Sequence, residues 1–120
     1  MIAETPGPLE RREVMAVAVR EADAVVRYGS CGPDTLREMS EAHFRWALDK
    51  DQPAEFRLSL ARRAARLAAR AVELAPSDYL TWLALARSKA IVGEWDAAES
   101  YLEESRRWRT KDHPVILFPD

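Results

Sequence analysis

Cysteine occurs once, at Cys31, so no internal disulfide can brace the chain. Glycine occurs four times in 120 residues, and none of it forms a phosphate-cradling loop. Gly29-Ser30-Cys31-Gly32 lacks the Lys-Ser/Thr ending and the preceding strand that such a loop requires. Histidine occurs twice, at His43 and His113, and neither has cysteines or carboxylates at metal-ligand spacing. A lone cysteine with no base beside it in sequence is a weak nucleophile. Catalytic residues, metals and cofactors are therefore not expected. No uninterrupted apolar run approaches the ~20 residues that cross a bilayer. The start, MIAETPGPLERRE, lacks the apolar core of a signal peptide. Neither sign of charge dominates: 18 Lys and Arg face 20 Asp and Glu, for a net charge of -2. A protein that coats nucleic acid is usually strongly basic, so this balance argues against one. These absences lead to the expectation of a soluble cytoplasmic protein with no membrane insertion.

Helical patterning is abundant. Hydrophobic residues make up 48% of the chain, which fits a folded domain, and much of that share is alanine. Five helices are predicted. The first runs from Leu9 to Tyr28, with Val14, Ala18, Ala22 and Val25 on one stripe and Met15, Val19 and Val26 widening it. An apolar face that wide belongs to a helix packed on two neighbours, or to one awaiting a partner. Gly29 caps it, and Pro33 starts the next helix. That second helix, Asp34 to Leu48, turns Leu36, Met39, His43 and Ala47 inward, with Phe44 and Trp46 on the flanks. His43 on this stripe reads as a structural, partly buried histidine. The third helix spans Ala54 to Ala75 and stops at Pro76. Ser77 or Asp78 caps the fourth, Tyr79 to Val92. Gly93 ends the fourth helix in the left-handed region. The fifth covers Glu94 to Trp108, with its acids early and its arginines late, as the helix dipole favours. The expected fold is all-α, one domain over 1–120. It comprises an N-terminal helix and turn at 1–33, helical hairpins over 34–108 and a tail at 109–120.

Residues 64–102 carry a more specific order of breakers and packing residues. Ala64, Ala68 and Ala71 precede Pro76; Trp82, Leu85 and Ala86 follow it; Gly93 makes the turn; Ala98 and Leu102 complete the pattern. This order resembles a tetratricopeptide repeat, a helix–turn–helix unit of about 34 residues. The resemblance is good over 64–102, weaker over 34–108 and absent from 1–30. Lys89 stands where the family has a large residue, Ser105 replaces a usual alanine, and Thr110 falls where a closing proline would be. Pro53 interrupts the region of an earlier first helix.

The resemblance implies a non-enzymatic protein–protein interaction module, an adaptor or small subunit of a larger assembly. It implies a partner-binding groove that includes Leu80, Leu83, Arg87, Ala90 and Ile91. Leu83 and Ala84 replace the polar side chains with which chaperone-binding members grip a terminal carboxylate. The expected partner is thus an apolar or amphipathic segment of another protein, or a second copy of the chain. Coverage of the groove by the chain's own helices is the alternative. A second candidate is the basic face formed by Arg62, Arg63, Arg66 and Arg70, extended by Arg57 and Arg106 to Lys111. Arginines beside aromatics fit nucleic acid or an acidic protein; ion pairs such as Arg70 with Glu73 offer a purely structural explanation. The run Val115-Ile116-Leu117-Phe118 reads as a docking or capping segment.

Overall fold

The computed structural model describes residues 5–29 and 31–112, with side chains described as far as Thr110. Five helices occupy them: α1 (Pro8–Tyr28), α2 (Pro33–Ala47), α3 (Ala54–Leu74), α4 (Tyr79–Ile91) and α5 (Trp95–Asp112). No strand occurs among the described residues. The fold is all-α, as the patterning predicts. The tail Val115–Phe118 and His113 lie outside the described residues.

Local chemistry sets the helix limits. Pro8 and Pro33 open α1 and α2, where a missing N–H leaves no helical bond unmade. Gly29 follows α1 and donates its N–H to the Val25 carbonyl at 2.9 Å. A Cβ here would lie 2.8 Å from that same oxygen, so the cap requires glycine. The Asp78 carboxylate caps α4 by accepting from the Leu80 N–H at 3.0 Å. Gly93, with φ +85°, turns the chain from α4 into α5.

Helices α2 and α3 pack as one antiparallel pair and α4 and α5 as another. Helix α4 joins the pairs by lying across the first one, touching both α3 and α2. The centre is α3, whose Leu60, Ala61, Ala64, Ala68 and Ala71 are fully buried. With only a methyl group at the four alanines, the α3 backbone comes close to neighbours on both sides. Buried hydroxyls inside this close packing are bonded. The Ser40 hydroxyl donates to the Ala64 carbonyl at 2.7 Å, and Ser88 to Ala84 at 2.9 Å. Buried Ser105, the departure from the repeat pattern, donates to the Tyr79 carbonyl at 3.0 Å and so ties α5 to the start of α4.

Trp82 is half-buried, its ring 5.9 Å from that of Tyr101 on α5. Its indole N–H donates to the Pro76 carbonyl at 2.7 Å. One side chain thus ties the α3–α4 turn to α5. Trp82→Ala should lower the unfolding free energy by about 3 kcal/mol, the low end for aromatic truncation because the ring is only half-buried. Urea unfolding measures this, and a loss under about 1 kcal/mol would remove Trp82 from the packing.

The first helix is turned differently from the expected stripe. Met15 and Ala22 are buried, and half-buried Val19 packs on the same cluster. Val14 and Val25, expected inside, are 66% and 43% exposed, and Val26 also faces out. A polar clip sets this rotation. Arg11 donates to both Asp49 carboxylate oxygens, at 2.8 and 3.2 Å, and to Asp51 at 2.8 Å. Gln52, in the same loop, donates to the Pro8 carbonyl at 2.8 Å. With Arg11 bound to the loop, Met15 one turn on must point inward. The Arg11 guanidinium holds the Asp49 carboxyl well below the usual carboxylate range, helped by a bond from Gln52.

His43 on α2 is 1% exposed. Its Nδ1 lies 2.7 Å from the Met39 carbonyl, so Nδ1–H donates there, while Nε2 has no partner among the described residues. Burial pushes its pKa below the ordinary histidine value, with nearby Arg63 adding to the effect. Protonation is thus disfavoured in the folded chain. Stability should be full above about pH 6.5 and decline as pH falls through that value, because the unfolded chain then gains a proton the fold refuses. Denaturant titrations at pH 7 and pH 5 test this. His43→Gln should flatten the difference, and an equal slope in both proteins would exclude His43 as its source. The Asp49 contribution is separate: it is present at neutral pH and is lost only below about pH 4.

Candidate partner-binding site

Helix α4, YLTWLALARSKAI, carries apolar residues around most of its circumference. One arc, with Ala84, Leu85 and Ser88, is buried in the fold. The opposite arc meets α5 along a cleft of about 330 Å³, lined by Leu83, Ala86, Arg87 and Ala90 from α4 and by Trp95, Ala98, Glu99 and Leu102 from α5. The Gly93 turn places Trp95 at the cleft's mouth, where its ring is 67% exposed. Arg87 and Glu99 are both exposed and supply the only charges among these eight residues. Neither side chain makes an ion pair or hydrogen bond with any described residue.

Three of the five groove residues expected from sequence, Leu83, Arg87 and Ala90, meet in this cleft. Ile91 does not. It packs inward against the cluster of Met15, Ala47, Leu60 and Ala61. Leu80 is half-buried a turn before Leu83 and is not part of the lining. Five lining residues, Ala86, Trp95, Ala98, Glu99 and Leu102, went unassigned to a binding role in sequence. Ala86, Ala98 and Leu102 entered the sequence reading only as packing residues of the repeat pattern. The available signal was Trp95: a large aromatic opening a helix just after a glycine turn has few neighbours to cover it.

Arg87 also borders a second cavity of about 220 Å³ on the α2 side, with Ser40, Glu41, Phe44, Arg45 and Ala84. The guanidinium therefore stands on the ridge between the two. Here α4 lies across the α2–α3 pair, and the corresponding side of the α4–α5 pair has no described helix across it.

The arginines of α3 do not act as one patch. Arg63 is bonded to Asp23 of α1, and Arg70 to Glu73 at 3.1 Å. Arg106 and Arg107 pair with Glu103 and Glu104 one turn back. Arg62 and Arg66 are exposed and unpaired among the described residues. Arg66 shares a cavity of about 510 Å³ with Arg27, Arg63, Asp23, Val26 and Leu67, between α1 and α3.

Among the described residues no His, Cys, Asp and Glu side chains form a group able to hold a metal ion. No described helix is long and apolar enough to cross a membrane. The chain matches no known family model, no curated protein and no solved structure.

Proposed function

We propose that this chain is a non-enzymatic protein-interaction module of tetratricopeptide-like type, serving as an adaptor or small structural subunit in the cytoplasm. The observation that carries this reading is the open cleft between α4 and α5, with apolar walls and two exposed charges, Arg87 and Glu99. An exposed concave apolar surface is the usual mark of a place where another molecule docks. Leu83, Ala90 and Leu102 give an apolar helix or extended segment a surface to cover, and Trp95 adds a large ring that gains most by losing contact with water. Arg87 and Glu99 add direction by favouring a segment with an acid and a base among its apolar residues. The order of helices supports the repeat reading: two antiparallel pairs, with the first helix of the second pair laid across the first pair. Two such pairs are fewer than the three or so repeats that a stable array usually needs, which fits a chain completed by a partner.

A second reading is nucleic-acid binding through Arg62 and Arg66, which stay unpaired while Arg63 and Arg70 are neutralised. One experiment separates the two. Tagged chain, its Leu83→Glu variant and its Arg66→Glu variant are used to capture partners from native lysate. The interaction reading predicts a stoichiometric protein that is lost with Leu83→Glu and kept with Arg66→Glu, both variants retaining the wild-type helical circular dichroism. Capture of RNA or DNA with a steep salt dependence, lost with Arg66→Glu, would transfer the function to the arginine face.

A further inference from the structure

Helices α1 and α3 face each other across a cavity of about 510 Å³, lined by Asp23, Val26 and Arg27 of α1 and by Arg63, Arg66 and Leu67 of α3. Helical spacing sets the lining. Asp23 and Arg27 are four apart on α1, and Arg63 and Leu67 four apart on α3, so each pair stands on one face of its helix. Three guanidinium groups thus border the cavity against one carboxylate. That carboxylate, Asp23, is already bonded to Arg63. The bond engages one Nη of Arg63 and leaves its other N–H donors open. Arg27 and Arg66 are exposed and make no ion pair or hydrogen bond with any described residue. Arg27 stands over the Tyr28 ring, 5.8 Å from its centre, a contact that leaves its charge uncancelled.

The cavity lies where the fold is least closely joined. Among the described helices, α1 has its backbone close to α2 alone. It reaches α3 through Met15, packed with Leu60 and Ala61, and through the Asp23–Arg63 pair. Cations that converge on such a gap without an acid repel one another, and an anion placed between them relieves that repulsion.

We propose that this cavity binds a small organic phosphate monoester, its phosphate held by Arg27, Arg66 and the open donors of Arg63 and its organic part laid on Val26 and Leu67. Charge selects the group. With Asp23 set against Arg63, two positive charges remain, and a phosphate monoester carries about −1.5 to −2 at pH 7. A carboxylate or sulfonate carries a single negative charge and leaves one cation unmatched. Hydrogen bonding points the same way, because a guanidinium presents paired N–H groups that fit phosphate oxygens. The volume falls within the range of small-molecule pockets, roughly 300–1,000 Å³. A ligand held there bridges α1 to α3. The site shares no lining residue with the α4–α5 cleft, so it does not depend on that cleft being a docking surface.

Amide-resolved NMR titration of the full chain with phenyl phosphate tests this. Shifts should saturate and cluster at residues 22–28 and 63–67. Phenyl phosphate should bind about tenfold more tightly than inorganic phosphate, because only the ester has a ring to lay on Val26 and Leu67. It should bind at least about fivefold more tightly than benzenesulfonate, which has the same ring and one charge. Arg27→Gln and Arg66→Gln break no described ion pair, so both variants should keep the wild-type helical circular dichroism. Each should weaken phenyl phosphate binding about fivefold, and the double variant should lose saturable binding. Arg62→Gln, which removes an exposed and unpaired arginine outside the cavity, should bind as the wild type does. Hydrogen exchange of the α1 amides should slow in the phenyl phosphate complex, as a bridge to α3 requires.

Absence of saturable shifts with phenyl phosphate would overturn the proposal. Equal losses in Arg62→Gln and Arg66→Gln would also overturn it, since the arginines would then act as a diffuse basic face of the kind that suits a nucleic-acid backbone. Benzenesulfonate bound as tightly as phenyl phosphate would remove the phosphate monoester as the ligand.

Discussion

Close approach of three helices at α3 is the constraint on which the other contacts depend. Ala61, Ala64, Ala68 and Ala71 are 0% exposed, and Ala65 is nearly so. A methyl group buries little area by itself, so these positions contribute mainly by letting backbones meet. Larger side chains there would force α2 and α4 apart and cost the fold through overpacking. Close approach also brings carbonyls of one helix within reach of short hydroxyls on the next. The Ser40–Ala64 bond exists because no bulky group separates the two helices.

From this centre the packing extends outward in both directions. On one side, α1 touches the core through Met15 and Val19 and relies on charged and amide contacts to the 49–52 loop for its position. On the other, α4 and α5 meet through Trp82 and Tyr101 but leave a cleft along their far edge. An alanine-based core is narrow, and it leaves the larger residues, Trp95, Tyr28 and the α1 valines, at the periphery. That distribution explains how a chain with ample hydrophobic residues still carries uncovered apolar surface.

Three residues of the candidate site, Leu83, Arg87 and Ala90, were reached in sequence through the resemblance to a tetratricopeptide repeat, and short-range rules account for their shared position. The Asp78 cap and the Gly93 turn define α4, and helical spacing puts Leu83, Arg87 and Ala90 on one arc. Ile91 falls close to the same arc, yet it packs inward, because α4 is apolar nearly all round and neighbours rather than periodicity choose its buried face. The same ambiguity affected α1, where two apolar stripes compete and the polar contacts of Arg11 with Asp49, Gln52 with Pro8 and Arg63 with Asp23 select between them. The arginine face was misleading in another way: Arg63 finds its acid on α1, 40 residues earlier, a partner that spacing along α3 cannot reveal.

The sequence by itself determined the number of helices, the alanine seam and the helix limits apart from the end of α5, which runs to Asp112 rather than Trp108, since caps, prolines, glycine turns and small side chains act within a few residues of themselves. Tertiary structure alone decided which face of α1 and α4 is covered, which arginines stay free, and that Trp95 and Leu102 share a cleft with Leu83. Those outcomes depend on pairings between distant segments, where several faces of similar hydrophobicity compete and the one that also satisfies its polar neighbours is buried.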